Sequence, residues 1–160
     1  MARIELTTSI AAPPERCFDL ARSVEFHIHT SAATDERAVD GKRSGLLEMG
    51  DTVTWEARHF GVRQRLSVQM SAFDRPRHFQ DVMVRGAFAR LTHDHYFDAN
   101  GSGTAMRDML EFAAPLGPLG RLVEVLVLES YLRRFLEHRS QRLKLAAESS
   151  EWTKFLKSER

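Results

Sequence analysis

Asp81, His93, His95 and Asp108 are the residues of this 160-residue chain whose types and spacing come nearest to a chemical site. A carboxylate beside an imidazole holds the ring in one tautomer, so that the other ring nitrogen can take up or release a proton. That chemistry needs the four side chains on one side of one surface. Leu91, His93, His95 and Phe97 share a face of an extended segment, and Phe79, Asp81 and Met83 share a face of the segment before it. With Ala99 to Ser102 as the following loop, hairpin pairing sets Leu91 opposite Leu110, His93 opposite Asp108 and His95 opposite Met106. The apolar members mark these as inner faces, which predicts a polar patch in an otherwise apolar cavity, with Trp55 and His59 completing its wall. The candidate ligand-binding set is Trp55, His59, Leu66, Phe79, Asp81, Met83, Leu91, His93, His95, Met106, Asp108 and Leu110. The candidates for acid–base work are His93, Asp108 and Asp81. Two roles stay open for the patch. It either orients or protonates a ligand, or it is a self-satisfied core network, because a buried polar group without a partner costs roughly 1 to 3 kcal/mol.

His93 and His95 sit roughly 7 Å apart on one strand face, a spacing that can chelate a metal if a carboxylate adds a third ligand. A two-residue motif is too short to define such a site, and neither a metal nor a cofactor is assigned. His27 and His29 lie about 200° apart on a helix and cannot share an ion; capping, or lining a cavity entrance, is their expected role. Arg133, Arg134, Arg139, Arg142 and Lys144 form a basic run, but Glu129 and Glu137 lie at pairing distance and the formal net charge is only +1. The run therefore reads as a solvated helix face. With no interleaved aromatic ladder and no phosphate-cradling glycine motif, no nucleic-acid partner is expected. Cys17 is the single cysteine and reads as a small packing residue. The opening Met-Ala-Arg-Ile-Glu-Leu lacks an apolar signal core, and no segment approaches the length of a membrane span. The expectation is a cytoplasmic chain without stable membrane insertion, a monomer or weak homodimer.

The elements that must position these residues follow from periodicity. Ile4, Leu6 and Ile10 predict a strand over 3–10, Pro13 and Pro14 open a short helix carrying Cys17, Phe18 and Leu20, and Ser23 caps a second one to about Thr30. A polar connection with Gly41, Gly45 and Gly50 follows. From Asp51 the apolar period is two, broken at Gly61, Arg75-Pro76, Gly86 and Asn100-Gly101, as in successive antiparallel strands. A two-residue turn at Phe60-Gly61 sets Val53 opposite Val68, Trp55 opposite Leu66 and Ala57 opposite Gln64. Pro115-Leu116-Gly117-Pro118 ends the strands, and one long helix is expected from Leu119 to about Glu148. Its first half is so apolar (Leu122, Val123, Val125, Leu126, Val127, Leu128) that most of its circumference should be covered. The chain divides into one domain, 1–147, and a tail, 148–160, in which Trp152, Phe155 and Leu156, at a weak helical spacing, dock or fray.

This order, with Arg22-Ser23-Val24-Glu25-Phe26-His27, Val53 through Gly61, Phe79-Gln80-Asp81-Val82-Met83, Gly86-Ala87-Phe88, His93 through Phe97 and Pro115 through Gly120, resembles the SRPBCC superfamily. That superfamily includes START lipid-transfer domains, birch-pollen-allergen-like proteins and polyketide cyclases. Within it, the chain looks like the bacterial ligand-binding or cell-division-associated group. The resemblance implies an α+β helix-grip fold: a curved antiparallel sheet of six or seven strands around the long C-terminal helix, with two short helices after the first strand. It also implies a cavity for a hydrophobic, amphipathic or lipid-like small molecule. The alternatives are a cyclase or dehydratase that moves protons with His and Asp groups, or a protein-interaction module.

Overall fold

The computed structural model describes residues 1–156. Seven strands, β1 (Ala2–Ile10), β2 (Arg37–Gly41), β3 (Thr52–His59), β4 (Val62–Asp74), β5 (His78–Arg85), β6 (Arg90–Asn100) and β7 (Gly103–Ala113), form one antiparallel sheet. Its order is β1-β7-β6-β5-β4-β3-β2. Helices α1 (Pro14–Ala21) and α2 (Val24–Thr30) carry the chain from one edge strand to the other. Pro14 opens α1, where its missing N–H leaves nothing unpaired, and the Ser23 hydroxyl accepts the Phe26 N–H at 3.2 Å to cap α2. Between residues 34 and 49 only the short β2 forms. Register irregularities in β4, at Ser67/Val68 and Met70/Ala72, bend the sheet.

Phe18 of α1 ties the helices to the concave face. Its ring meets those of Phe73, Phe79 and Phe97 edge-on at 5.4, 5.2 and 5.4 Å. A second apolar cluster joins Ile4, Leu91, Leu110 and Phe112 to Leu136 of the C-terminal helix. Trp152, Phe155 and Leu156 pack against the Phe18 cluster, so the described part of the tail docks; residues 157–160 of the tail lie outside the described residues.

The β3–β4 hairpin has the expected register, with Val53 opposite Val68 and Trp55 opposite Leu66. Its turn residues Phe60 and Gly61 take φ of 52° and 72°, which matches the twist of the strands they join. The β6–β7 hairpin departs from expectation. Its loop is two residues, Gly101 and Ser102, not four: Gly101 adopts φ 62°, Asn100 pairs with Gly103, and every pair moves by two. His95 therefore faces Asp108, His93 faces Leu110, and Leu91 faces Phe112. A displacement of two residues keeps each side chain on its side of the sheet.

The C-terminal helical span is also not uniform. It comprises α3 (Gly117–Val123), a π-helical turn (Glu124–Leu128) and α4 (Glu129–Glu148). The apolar first half is not covered as expected: Leu119, Leu122, Val125 and Leu126 are 54–68% exposed. What this segment turns inward is instead Gly120 and Glu124, one helical turn apart. Glu124 is buried and accepts the Ala114 N–H at 2.5 Å. Gly120 lies so close to the Pro115 carbonyl that a Cβ there would be 1.9 Å from its oxygen. Gly120→Ala is accordingly expected to displace α3 and lower stability by roughly 1 to 3 kcal/mol in urea denaturation, whereas Leu126→Ala, on the exposed side, should change it by less than about 0.5 kcal/mol.

Candidate functional site

The bent sheet and α4 do not fill the space between them. A cavity of about 190 Å³ remains. Trp55, His59, Leu66, Phe79, Leu91 and Leu110 line it from the strands, and Leu128, Tyr131, Leu132, Phe135 and Leu136 line it from the helix. At the rim the exposed Phe60 ring packs on Tyr131, 4.5 Å between centroids, and the Tyr131 hydroxyl lies 2.6 Å from His59 Nδ1. Asp81, His93 and His95 form part of its wall. Three residues of the expected set lie elsewhere. Met83 packs with the Leu91–Phe112 cluster, over Gly86. Met106 and Asp108 lie beneath the two histidines, where they line a separate void of about 30 Å³ with Ser140 and Leu143.

Around Asp108 the polar groups converge. Asp108 Oδ1 lies 2.8 Å from His95 Nδ1 and 3.3 Å from His93 Nε2, and its Oδ2 accepts the Ser140 hydroxyl from α4 at 3.3 Å. His95 Nε2 lies 3.5 Å from Asp81 Oδ2. The imidazoles of His93 and His95 lean together at 3.8 Å, and His95 stacks on Phe79 at 4.3 Å. Burial opposes charge on Asp108, but the close approach of the His93 and His95 rings and the charge on His95 outweigh it and hold the carboxyl well below its usual range. Burial works against a proton on His95 as well, yet its hydrogen bonds to Asp108 and Asp81 raise it to about 9. His93 has no such pair of carboxylates; burial and the neighbouring charge on His95 push it down to about 4.

A second polar chain closes the other side of the cavity. Arg139 of α4 donates to His27 Nδ1 at 2.6 Å, which leaves the proton of His27 on Nε2, 2.5 Å from Glu36 Oε1. Burial and the Arg139 charge together keep His27 below its ordinary value. The His27 ring stacks on Trp55 at 3.9 Å. Arg139 was expected on a solvated face and is instead at the cavity. The signal was present: Leu132, Leu136, Arg139 and Leu143 follow each other at helical spacing, so Arg139 belongs to the apolar stripe. Glu36 carries no comparable signal, since it precedes β2 in an irregular segment. His29, by contrast, stays outside and pairs with Glu151 at 3.0 Å.

A seven-stranded antiparallel sheet gripping a C-terminal helix over an apolar cavity is the helix-grip architecture. Residues 1–148 match the family described as polyketide cyclase / dehydrase and lipid transport, and the chain belongs to that family. The crystal structure of TTHA0849 from Thermus thermophilus is similar with a TM-score of 0.70 and 22% identity, covering 92% of this chain and 100% of that one. A START superfamily protein from Mycobacterium smegmatis gives 0.67 and 14%, over 91% of this chain and 97% of that one. Major latex-like protein 151 of Panax ginseng gives 0.67 and 15%, over 91% and 97%. At these identities the likeness carries the fold alone. No curated protein matches the sequence.

The two histidines impose opposite pH dependences on stability. His95 binds its proton more tightly folded than unfolded, so its contribution is complete below pH 6.5 and is lost as the pH rises toward 9. His93 is protonated first in the unfolded chain, so stability falls as the pH drops from 6.5 toward 4, and Asp108 adds to that fall at still lower pH. Urea denaturation in chelator-containing buffer should therefore show a maximum near pH 6.5, with losses of about 1 to 3 kcal/mol on each side. His95→Asn should flatten the alkaline limb. A wild-type stability that rises steadily from pH 6.5 to 9 would contradict this account of His95.

Proposed function

We propose that the protein binds a hydrophobic or amphipathic small molecule between the sheet and α4, with its polar end toward Asp81, His93 and Arg139. One observation carries this reading. Asp81 Oδ1, His93 Nε2 and Arg139 Nε are buried without a hydrogen-bond partner at an otherwise apolar cavity. Buried polar atoms are seldom left so, and a ligand oxygen or nitrogen supplies what they lack. Trp55 and Phe79 provide flat apolar contact, and the family's description, which includes lipid transport, agrees with an apolar cargo. No helix among the described residues is long and apolar enough to cross a membrane. The buried thiol of Cys17 calls for no oxidising compartment, which supports a cytoplasmic setting.

The second reading is acid–base catalysis on an enolisable, polyketide-like substrate. It is favoured by His93, which burial and its neighbour keep unprotonated near neutrality, and whose Nε2 is unpartnered at the cavity. In that reading His93 accepts the proton at Nε2, where Asp108 Oδ1, 3.3 Å away, stabilises the imidazolium that forms.

Native mass spectrometry of protein purified without detergent should retain a small molecule, and an apolar fluorophore should bind the emptied cavity. Trp55→Ala is expected to weaken fluorophore binding roughly tenfold, about 1.4 kcal/mol. Leu132→Trp, which fills the cavity from the helix side, should abolish it without unfolding the protein. Unchanged binding in Leu132→Trp would place the fluorophore elsewhere and remove the support for a cavity ligand. Asp108→Asn separates the two readings, since loss of turnover with retained binding indicates an enzyme.

A further inference from the structure

The sequence offers a His-x-His pair with carboxylates on the same inner face; the fold brings one of them, Asp108, within reach of both rings. We propose that His93, His95 and Asp108 form a site for one divalent transition-metal ion in the floor of the cavity. His93 Nε2 and His95 Nδ1 lie 3.3 and 2.8 Å from the same oxygen, Asp108 Oδ1. One donor atom from each of the three residues falls within 4.8 Å of the other two, and all three residues are buried. An ion held by imidazole nitrogen and carboxylate oxygen at about 2.0 to 2.2 Å in tetrahedral geometry keeps its ligands roughly 3.3 Å apart, so small movements would close the set. The adjoining void of about 30 Å³ is large enough for one ion.

The surrounding groups are those that a metal site needs to orient its ligands. With the ion on His95 Nδ1, the remaining ring proton sits on Nε2 and faces Asp81 Oδ2 at 3.5 Å. Ser140 holds the second oxygen of Asp108 at 3.3 Å. Such outer contacts fix ring orientation and raise ligand basicity. His93 Nε2, buried without a hydrogen bond, would gain the partner it lacks. Charge points the same way: three carboxylates, Glu36, Asp81 and Asp108, stand around the floor against the Arg139 guanidinium and the His95 imidazolium, and a divalent ion that takes the place of the His95 proton brings the set to neutrality. Two imidazoles and one carboxylate suit zinc, cobalt or ferrous iron better than magnesium or calcium, which favour all-oxygen sets. Binding releases the proton that His95 shares with Asp108.

The proposal needs no cavity ligand, so it is tested with the metal alone. Protein stripped with a chelator is titrated with Co²⁺, read by its visible absorption, and Zn²⁺ is then added in competition. One Co²⁺ per chain with an intense tetrahedral spectrum, displaced by Zn²⁺, is the expected result. His93→Ala should lower affinity at least 100-fold, and Asp81→Asn, which removes only an orienting contact, roughly tenfold. His29→Ala, outside the cavity, should leave affinity unchanged. No saturable binding by the folded wild type overturns the proposal, as does equal affinity in wild type, His93→Ala and Asp108→Asn. Should His93→Ala fail to fold, the wild-type spectrum and Asp81→Asn decide the matter. A fluorophore titration in chelator separates this from the ligand reading: fluorophore binding without metal binding overturns the metal site alone, and metal binding without fluorophore binding supports it.

Discussion

The carboxylate of Asp108, buried under α4 and away from water, is the constraint that the inner face of this protein is arranged around. A charge in that position is costly unless it is paired and hydrogen-bonded on every side. His95 answers it from the neighbouring strand, His93 from two residues along, and Ser140 from the helix above. These contacts join β6, β7 and α4 at one point, so the register of the hairpin and the seating of the helix are specified together. Asp81 extends the arrangement to β5 through His95. The result is a polar floor in which His95 is charged and His93 is not, although both imidazoles are equally buried; the difference lies in how many carboxylates each ring can reach.

The cavity above that floor follows from geometry. A twisted, bent sheet of seven strands is concave, and a single helix touches it along a stripe narrower than the concavity. Where α1 adds Phe18, the gap is filled with interlocking rings. Farther from Phe18 the side chains of the helical span from Leu128 to Arg139 face the sheet across open space, with Ala21, Ser23 and His27 along one edge. The start of the helical span is held by two inward residues, Gly120 against the Pro115 carbonyl and Glu124 on the Ala114 N–H, while its leucines and valines point outward. A polar anchor at the strand end thus determines which side of an almost wholly apolar helix turns in.

Periodicity made most of the fold legible. The alternation from Asp51 onward predicted antiparallel strands, and the Phe60-Gly61 turn predicted the β3–β4 register pair by pair. Pro14 and Ser23 marked the starts of the two short helices, because a missing donor and a capping hydroxyl each suit one position in a helix. The inward faces of β5, β6 and β7 were legible for the same reason, and they survived the error in loop length: a register moved by two residues exchanges partners without exchanging faces. Partner identity was not legible, because it depended on whether Gly101-Ser102 or a four-residue loop closed the hairpin, and both fit the composition.

The sequence by itself determined the class of fold and which residues of each strand turn toward the interior, since a period of two depends only on the chain's own pattern. It also determined that Asp81, His93, His95 and Asp108 share that interior. Only the tertiary structure decided that His95, rather than His93, stands opposite Asp108, and that Arg139 leaves the solvated face to meet His27 and Glu36. It alone put Met106 and Asp108 below the cavity and the apolar start of the C-terminal helix in solvent. These outcomes depend on distances between segments remote in the chain, and pattern within a segment carries no information about them. Alternation tells a side chain which way to face; what it meets there is set by the elements that pack opposite.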